Sequence, residues 1–70
     1  MVNVIAILND GRSISSQAND EILGITTLRE WASSWHMQNG KFWIERAFIG
    51  GEGRVISEFK FVGASIVKVN

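Results

Sequence analysis

Hydrophobic and polar positions repeat with two different periods along this chain, and turn residues mark the changes. Val2 to Leu8 is almost continuous in Val, Ile, Ala and Leu and has the length of a strand. Asn9-Asp10-Gly11 follows, and Asp-Gly suits a tight turn with positive φ. Arg12 to Ser15 is then the short return strand. Ser16 to Thr26 is mostly polar or small, with Ile22, Leu23 and Ile25 around Gly24. It predicts a loop with room for one helical turn begun at Asn19 or Asp20. Its three aliphatic residues are expected to bury. Leu28, Trp31, Ala32 and Trp35 fall at i, i+3, i+4 and i+7, which predicts a helix from Leu28 to Gln38 with one apolar stripe. Thr27-Leu28-Arg29-Glu30 has capping-box spacing at its start, and Asn39-Gly40 supplies a left-handed stop.

Alternation then returns. Lys41 to Ile49 reads as a strand with Phe42, Ile44, Arg46 and Phe48 on one face and Trp43, Glu45, Ala47 and Ile49 on the other. Gly50-Gly51-Glu52-Gly53 reads as a turn. Arg54 to Val62 is the partner strand, with Val55, Ser57, Phe59 and Phe61 opposite Ile56, Glu58, Lys60 and Val62. Gly63-Ala64-Ser65 breaks it before a last strand over Ile66 to Val69. The order ββαβββ makes residues 1–70 a single α+β domain. It is either a small antiparallel sheet with one helix or a partly closed barrel, because short connections favour antiparallel neighbours. The first strand is apolar on both faces, and one helix covers only one face of a sheet. Either the sheet curls on itself or a second subunit covers the other side.

Composition narrows the function classes. A chain of 70 residues buries only about 60% of its unfolded surface, so it is marginally stable alone. The sequence has no Cys and one His, which removes disulfides and thiolate metal sites and leaves no metal or cofactor expected. Three Trp and four Phe are a rich aromatic supply for so small an interior and favour a homo-oligomer or an aromatic-lined binding face. Seven basic residues balance seven acidic ones. That lowers the expectation of nucleic-acid binding by phosphate neutralisation and raises that of self-association. The apolar N-terminal run has no basic flank and is too short to span a membrane, so a soluble, cytoplasmic protein is expected.

No catalytic set stands out, and no enzyme is predicted. A nucleophile–base pair would have to use His36 with Ser33 or Ser34, without an orienting acid or oxyanion hole. A cation near a helix C-terminus is the simpler role for His36. Glu45 and Glu58 could face each other across a hairpin, but with Arg46 and Lys60 near them they read as cross-strand charge pairs. The Gly-rich turn lacks the Lys-Ser/Thr of a phosphate loop and precedes a strand. Its backbone N–H groups can still hold an anion, so Gly50, Gly51, Gly53, Arg54 and Arg46 form a candidate anion set. Phe42, Trp43, Phe59 and Phe61, interleaved with Lys41, Arg46, Arg54 and Lys60, suggest a single-stranded nucleic-acid platform as an alternative. Trp31, Trp35 and Trp43 are either core residues or the anchors of an interface or ligand wall.

Two segments, Val4-Ile5-Ala6-Ile7-Leu8-Asn9-Asp10-Gly11-Arg12 and Phe61-Val62-Gly63-Ala64-Ser65-Ile66-Val67-Lys68-Val69, lie within the terminal thirds of the chain. In these, and in its short Cys-free layout, the chain resembles the small accessory proteins of bacteriophages and other mobile elements. The resemblance implies a compact homo-oligomer that inhibits a host protein or sequesters a host nucleotide-like ligand. It assigns no residue. The expected function is a non-catalytic, self-associating binding protein, with a nucleic-acid module or a small structural or assembly protein as the alternatives.

Overall fold

The computed structural model describes the backbone of residues 1–38, 42–62 and 65–69, and the side chains of these except 35–38. The elements are β1 (Val2–Leu8), β2 (Ser13–Ala18), α1 (Glu21–Gln38), β3 (Ile44–Gly51), β4 (Arg54–Val62) and β5 (Ser65–Lys68). The strands form one antiparallel sheet in the order β2-β1-β3-β4-β5. The sheet is open, with β2 and β5 at its edges, so the barrel alternative falls. One face is covered by α1, which lies mainly over β1 and β3.

The core lies between that face and the helix. Val4, Ala6 and Leu8 of β1, Ile44, Ala47 and Ile49 of β3, and Phe59 and Phe61 of β4 are buried against Leu28 and Ala32 of α1. Trp31, Ile25, Val2, Ile14, Ala18 and Ile66 pack around this cluster. Leu28, Trp31 and Ala32 therefore face the sheet, as their helical spacing predicts.

The helix begins a full two turns earlier than its stripe suggests. Asp20 is the true cap: its side chain accepts from the Leu23 N–H at 2.9 Å, and its carbonyl accepts from the Gly24 N–H at 3.0 Å. Thr27 lies inside the helix and caps nothing. Its hydroxyl, like that of Thr26, donates back to a carbonyl four residues earlier, Leu23 O at 3.1 Å and Ile22 O at 3.2 Å. Gly24 reads as a breaker but is buried and packed. A methyl there would sit 3.0 Å from Ile49 Cδ1 and 3.3 Å from Val4 Cγ2. The glycine thus lets the first turns of α1 approach the sheet. Ile22 and Leu23, expected to bury, point outward and are 75% and 46% exposed. The proposed stop at Asn39-Gly40 and the break at Gly63-Ala64 lie outside the described residues.

Two bulges reset the alternation. Between Ile7 and Leu8 of β1 the register on β3 jumps from Arg46 to Ile44, so Glu45 is an extra residue. Ile44 and Ala47 consequently share the helix face, where strict alternation placed them on opposite faces. Between Ile49 and Gly50 the partner on β4 jumps from Ser57 to Val55. Gly50 is required there, since a Cβ would lie 2.8 Å from the Arg54 carbonyl oxygen. Gly50 and Gly51 belong to β3, and the turn itself is Glu52-Gly53, both at positive φ (54° and 78°). β2 reaches Ala18, three residues beyond its expected end, because Ser16 to Ala18 pair with β1.

Two further ties hold elements together. Buried Ser57 of β4 donates its hydroxyl to Glu21 in the first turn of α1. At the β1–β2 turn, Asp10 accepts from the Arg12 backbone N–H at 3.1 Å and from Arg12 Nε at 2.6 Å. The Arg12 guanidinium also lies 4.4 Å from the centre of the Phe42 ring. The Arg12 backbone N–H holds the Asp10 carboxyl below its ordinary value against a desolvation effect, and the Arg12 side chain adds to the lowering.

Candidate functional site

The face of the sheet away from α1 is laid out in cross-strand rows. One row runs Gln17, Asn3, Gly50. The next runs Ser15, Ile5, Phe48, Glu58. The third runs Ser13, Ile7, Arg46, Lys60, Val67. All carry the side-chain parity opposite to the buried Val4, Ala6, Ala47, Phe59 and Phe61. The β2 side of this face is polar but uncharged. Its middle is apolar, and its β3–β4 side is charged.

Arg46 and Lys60 sit directly opposite each other on β3 and β4, and both are exposed. Like charges at such a position cost about 0.2–1 kcal/mol. Among the described residues, neither makes an ion pair; the pair found is Arg12 with Asp10. Arg46 instead leans toward the Phe48 ring, 5.8 Å from its centre. The expected Glu–Lys and Glu–Arg cross-strand pairs are therefore not the registered ones: Glu58 faces Phe48, and Glu45 is the bulged residue.

These charges line a concavity of about 530 Å³ together with Trp43, Val69 and the buried Phe59 and Phe61. That volume falls within the usual range for small-molecule sites, about 300–1,000 Å³. The walls are well anchored. The Trp43 backbone exchanges two hydrogen bonds with Asn9, donating to its Oδ1 at 3.0 Å and accepting from its N–H at 3.0 Å. The Val69 N–H donates to the Glu58 carbonyl at 2.8 Å. The Trp43 indole is 45% exposed on this fixed backbone. A flat, partly wet aromatic beside two cations and two carboxylates can stack a ring, hold an anion and accept from ring N–H groups.

The predicted site residues separate into three places. Trp43 and Arg46 reach the concavity. Trp31 is half-buried against the core on the helix side, which makes it a packing residue there; the side chains of Trp35 and His36 lie outside the described residues. Gly50, Gly51, Gly53 and Arg54 are at the far end of the β3–β4 hairpin, roughly 16 Å along the strands from Arg46. The candidate anion set is thus split, and the glycines answer to the bulge and the turn. Phe59 and Phe61 are buried but line the concavity with Trp43, whereas Phe42 is half-buried under Arg12, so the four do not form one exposed platform. From the sequence, Lys60 entered only the nucleic-acid platform, Glu45 and Glu58 only charge pairs, and Val69 no site. The place of Lys60 opposite Arg46 follows only from the register, which the Gly50 bulge sets.

Among the described residues, no group of three His, Cys, Asp or Glu could hold a metal ion, and no helix is long and apolar enough to cross a membrane. No protein-family model matches the chain, and no curated protein or solved structure is significantly similar to it.

Proposed function

We propose that this chain is a non-catalytic binding protein that sequesters a small anionic ligand bearing a flat ring, in chemical terms a nucleotide, in the concavity beside Trp43. The observation that supports it most is the opposed pair of cations, Arg46 and Lys60, exposed and without an ionic partner among the described residues. A phosphate between them would turn a repulsive pair into two charge-assisted hydrogen bonds. Glu45 and Glu58 would accept from the ring and amino N–H groups of a base, and the Trp43 indole would stack on its face. Sequestration of a host ligand or inhibition of a host protein by such a binder accords with the phage-like layout. The reading is non-catalytic because the sequence carries a single imidazole and no thiol.

Calorimetric titration with mononucleotides and dinucleotides, and with inorganic phosphate as control, tests this. The nucleotides bind, phosphate alone binds far more weakly, and Trp43→Ala, Arg46→Ala and Lys60→Ala each lose roughly tenfold or more in affinity. Absence of nucleotide binding at roughly millimolar concentration, or binding that is indifferent to all three substitutions, refutes it.

A further inference from the structure

We infer that the helix-free face of the sheet is also a self-association surface, and that its occupant is a second copy of this chain in a face-to-face, two-fold pair. The inference stands on the rows of that face and is independent of the nucleotide reading.

The face is unusually apolar for an uncovered sheet. Ile5 is 37% exposed and Ile7 and Phe48 are half-buried at its middle, while Val67 and Val69 are 51% and 56% exposed along its β5 margin. Toward β2 it is bordered by Ser13, Ser15 and Gln17, which are polar but carry no charge. An apolar middle with a polar rim is the anatomy of a protein interface.

Its charges then choose the partner. A two-fold axis crossing the strands between the Ile5–Phe48–Glu58 row and the Ile7–Arg46–Lys60 row lays each row on the other. Ile5 then meets Ile7 of the second copy. Phe48 meets Arg46, a ring under a guanidinium, and Glu58 meets Lys60. Every like-for-unlike contact occurs twice by symmetry, and no like charges oppose each other. The Arg46–Lys60 repulsion within one chain is relieved by Glu58 of the other. The size also suits a weak dimer. Five strands at about 4.8 Å spacing and about 20 Å length cover roughly 500 Å². A face-to-face pair therefore buries on the order of 1,000 Å² in total, near the lower limit for a specific interface.

Sedimentation equilibrium of the purified chain without nucleotide, over a wide concentration range, provides the test. The wild type forms a dimer that dissociates on dilution. Glu58→Lys and Lys60→Glu each place like charges against like across the axis twice, so each raises the dimer dissociation constant by roughly tenfold or more. An equimolar mixture of the two variants restores wild-type affinity, because every crossed pair is again opposite in charge. Circular dichroism confirms that each variant is folded. Should Glu58→Lys fail to fold, Lys60→Glu and Ile5→Lys carry the test, and both must weaken the dimer. A monomeric wild type at all concentrations overturns the proposal and leaves the face to a different partner. Single variants that dimerise as the wild type does, or a mixture of folded variants that stays monomeric, overturn it as well.

Discussion

Replacing Gly24 by Ala separates helix propensity from packing at a close approach of α1 to the sheet. In an exposed helix interior the change would stabilise by about 1 kcal/mol, because Ala loses less backbone entropy than Gly. Here the new methyl would stand 3.0 Å from Ile49 Cδ1, 3.3 Å from Val4 Cγ2 and 3.6 Å from Ile49 Cγ1. Ile49 and Val4 are both fully buried, in the middle of β3 and β1, so neither has free space to yield. Overpacking of a dense core costs typically about 1–3 kcal/mol. The two effects leave Gly24→Ala destabilising by about 1 kcal/mol, the opposite sign to the propensity scale. Ile49→Val removes the Cδ1 methyl that the new Cβ meets and alone costs about 0.5–1.5 kcal/mol. In the double variant the Ala methyl occupies the vacated space, so the pair should be less destabilised than the sum by about 1 kcal/mol. Urea unfolding followed by tryptophan fluorescence, on the wild type and the three variants, reads every corner of the cycle. A stabilised Gly24→Ala variant, or strict additivity in the double variant, would refute the close-approach argument.

Four further outcomes follow from the same geometry. Asp20→Ala removes the side-chain cap on the Leu23 N–H and lowers stability by about 1 kcal/mol in urea unfolding, whereas Thr27→Ala, at the position that resembles a cap, costs less. Ser57→Ala deletes the hydroxyl that ties β4 to Glu21 and leaves a half-buried carboxylate without that donor, a loss of about 1–3 kcal/mol read by the same assay. Asp10 has a folded-state carboxyl pKa below its ordinary value, so its contribution is complete above that value and disappears as pH falls through the folded one. In Asp10→Asn, stability should accordingly fall less than in the wild type across that acidic window, as thermal unfolding at stepped pH will show. Finally, a bound nucleotide and a second copy compete for Arg46 and Lys60, so a saturating nucleotide should shift the dimer toward monomer in sedimentation, by the same factor with which dimerisation weakens nucleotide binding.

The sequence made the element order legible because every strand but the polar β2 is rich in apolar residues, and turn signals separate most neighbours. Asp10-Gly11 turns where its chemistry says, with Gly11 at φ 92°. The Leu28–Trp31–Ala32 stripe faces the core as its spacing requires. What misled the reading was local chemistry that tertiary packing overrides. Gly24 looks like a breaker until Ile49 is seen against it, and Thr27 looks like a cap until Asp20 is seen to hold the true first turn. The site was less legible for a related reason. Trp43 and Arg46 were recognised as chemically expressive residues, but their neighbours depend on two bulges. One extra residue at Glu45 and another opposite Ile49–Gly50 decide which charges share a face, and neither bulge has a periodic signature. The double-sided apolarity of β1 called for a cover on both faces, by a curled sheet or a second subunit, and the open sheet removes the first of these. Ile5 and Ile7 are the β1 residues on the face that α1 leaves uncovered.

The placement of β1 has a consequence for how the chain can be assembled. β1 and β2 pair locally and are followed by α1, while β3, β4 and β5 form a simple meander. The central seam, β1 against β3, joins Asn3 to Gly50 at one end and Leu8 to Ile44 at the other, so it brings together the first and second halves of the chain. Its formation closes a long loop, the slow kind of event in folding small proteins. A chain opened between α1 and β3 would yield two pieces, each holding its own hairpin contacts and each carrying one half of an apolar core. Their recombination through β1 and β3 would rebuild the core and the Trp43 wall together. The same long-range seam would thus let the chain serve as a split pair, with tryptophan emission as the report of reassembly.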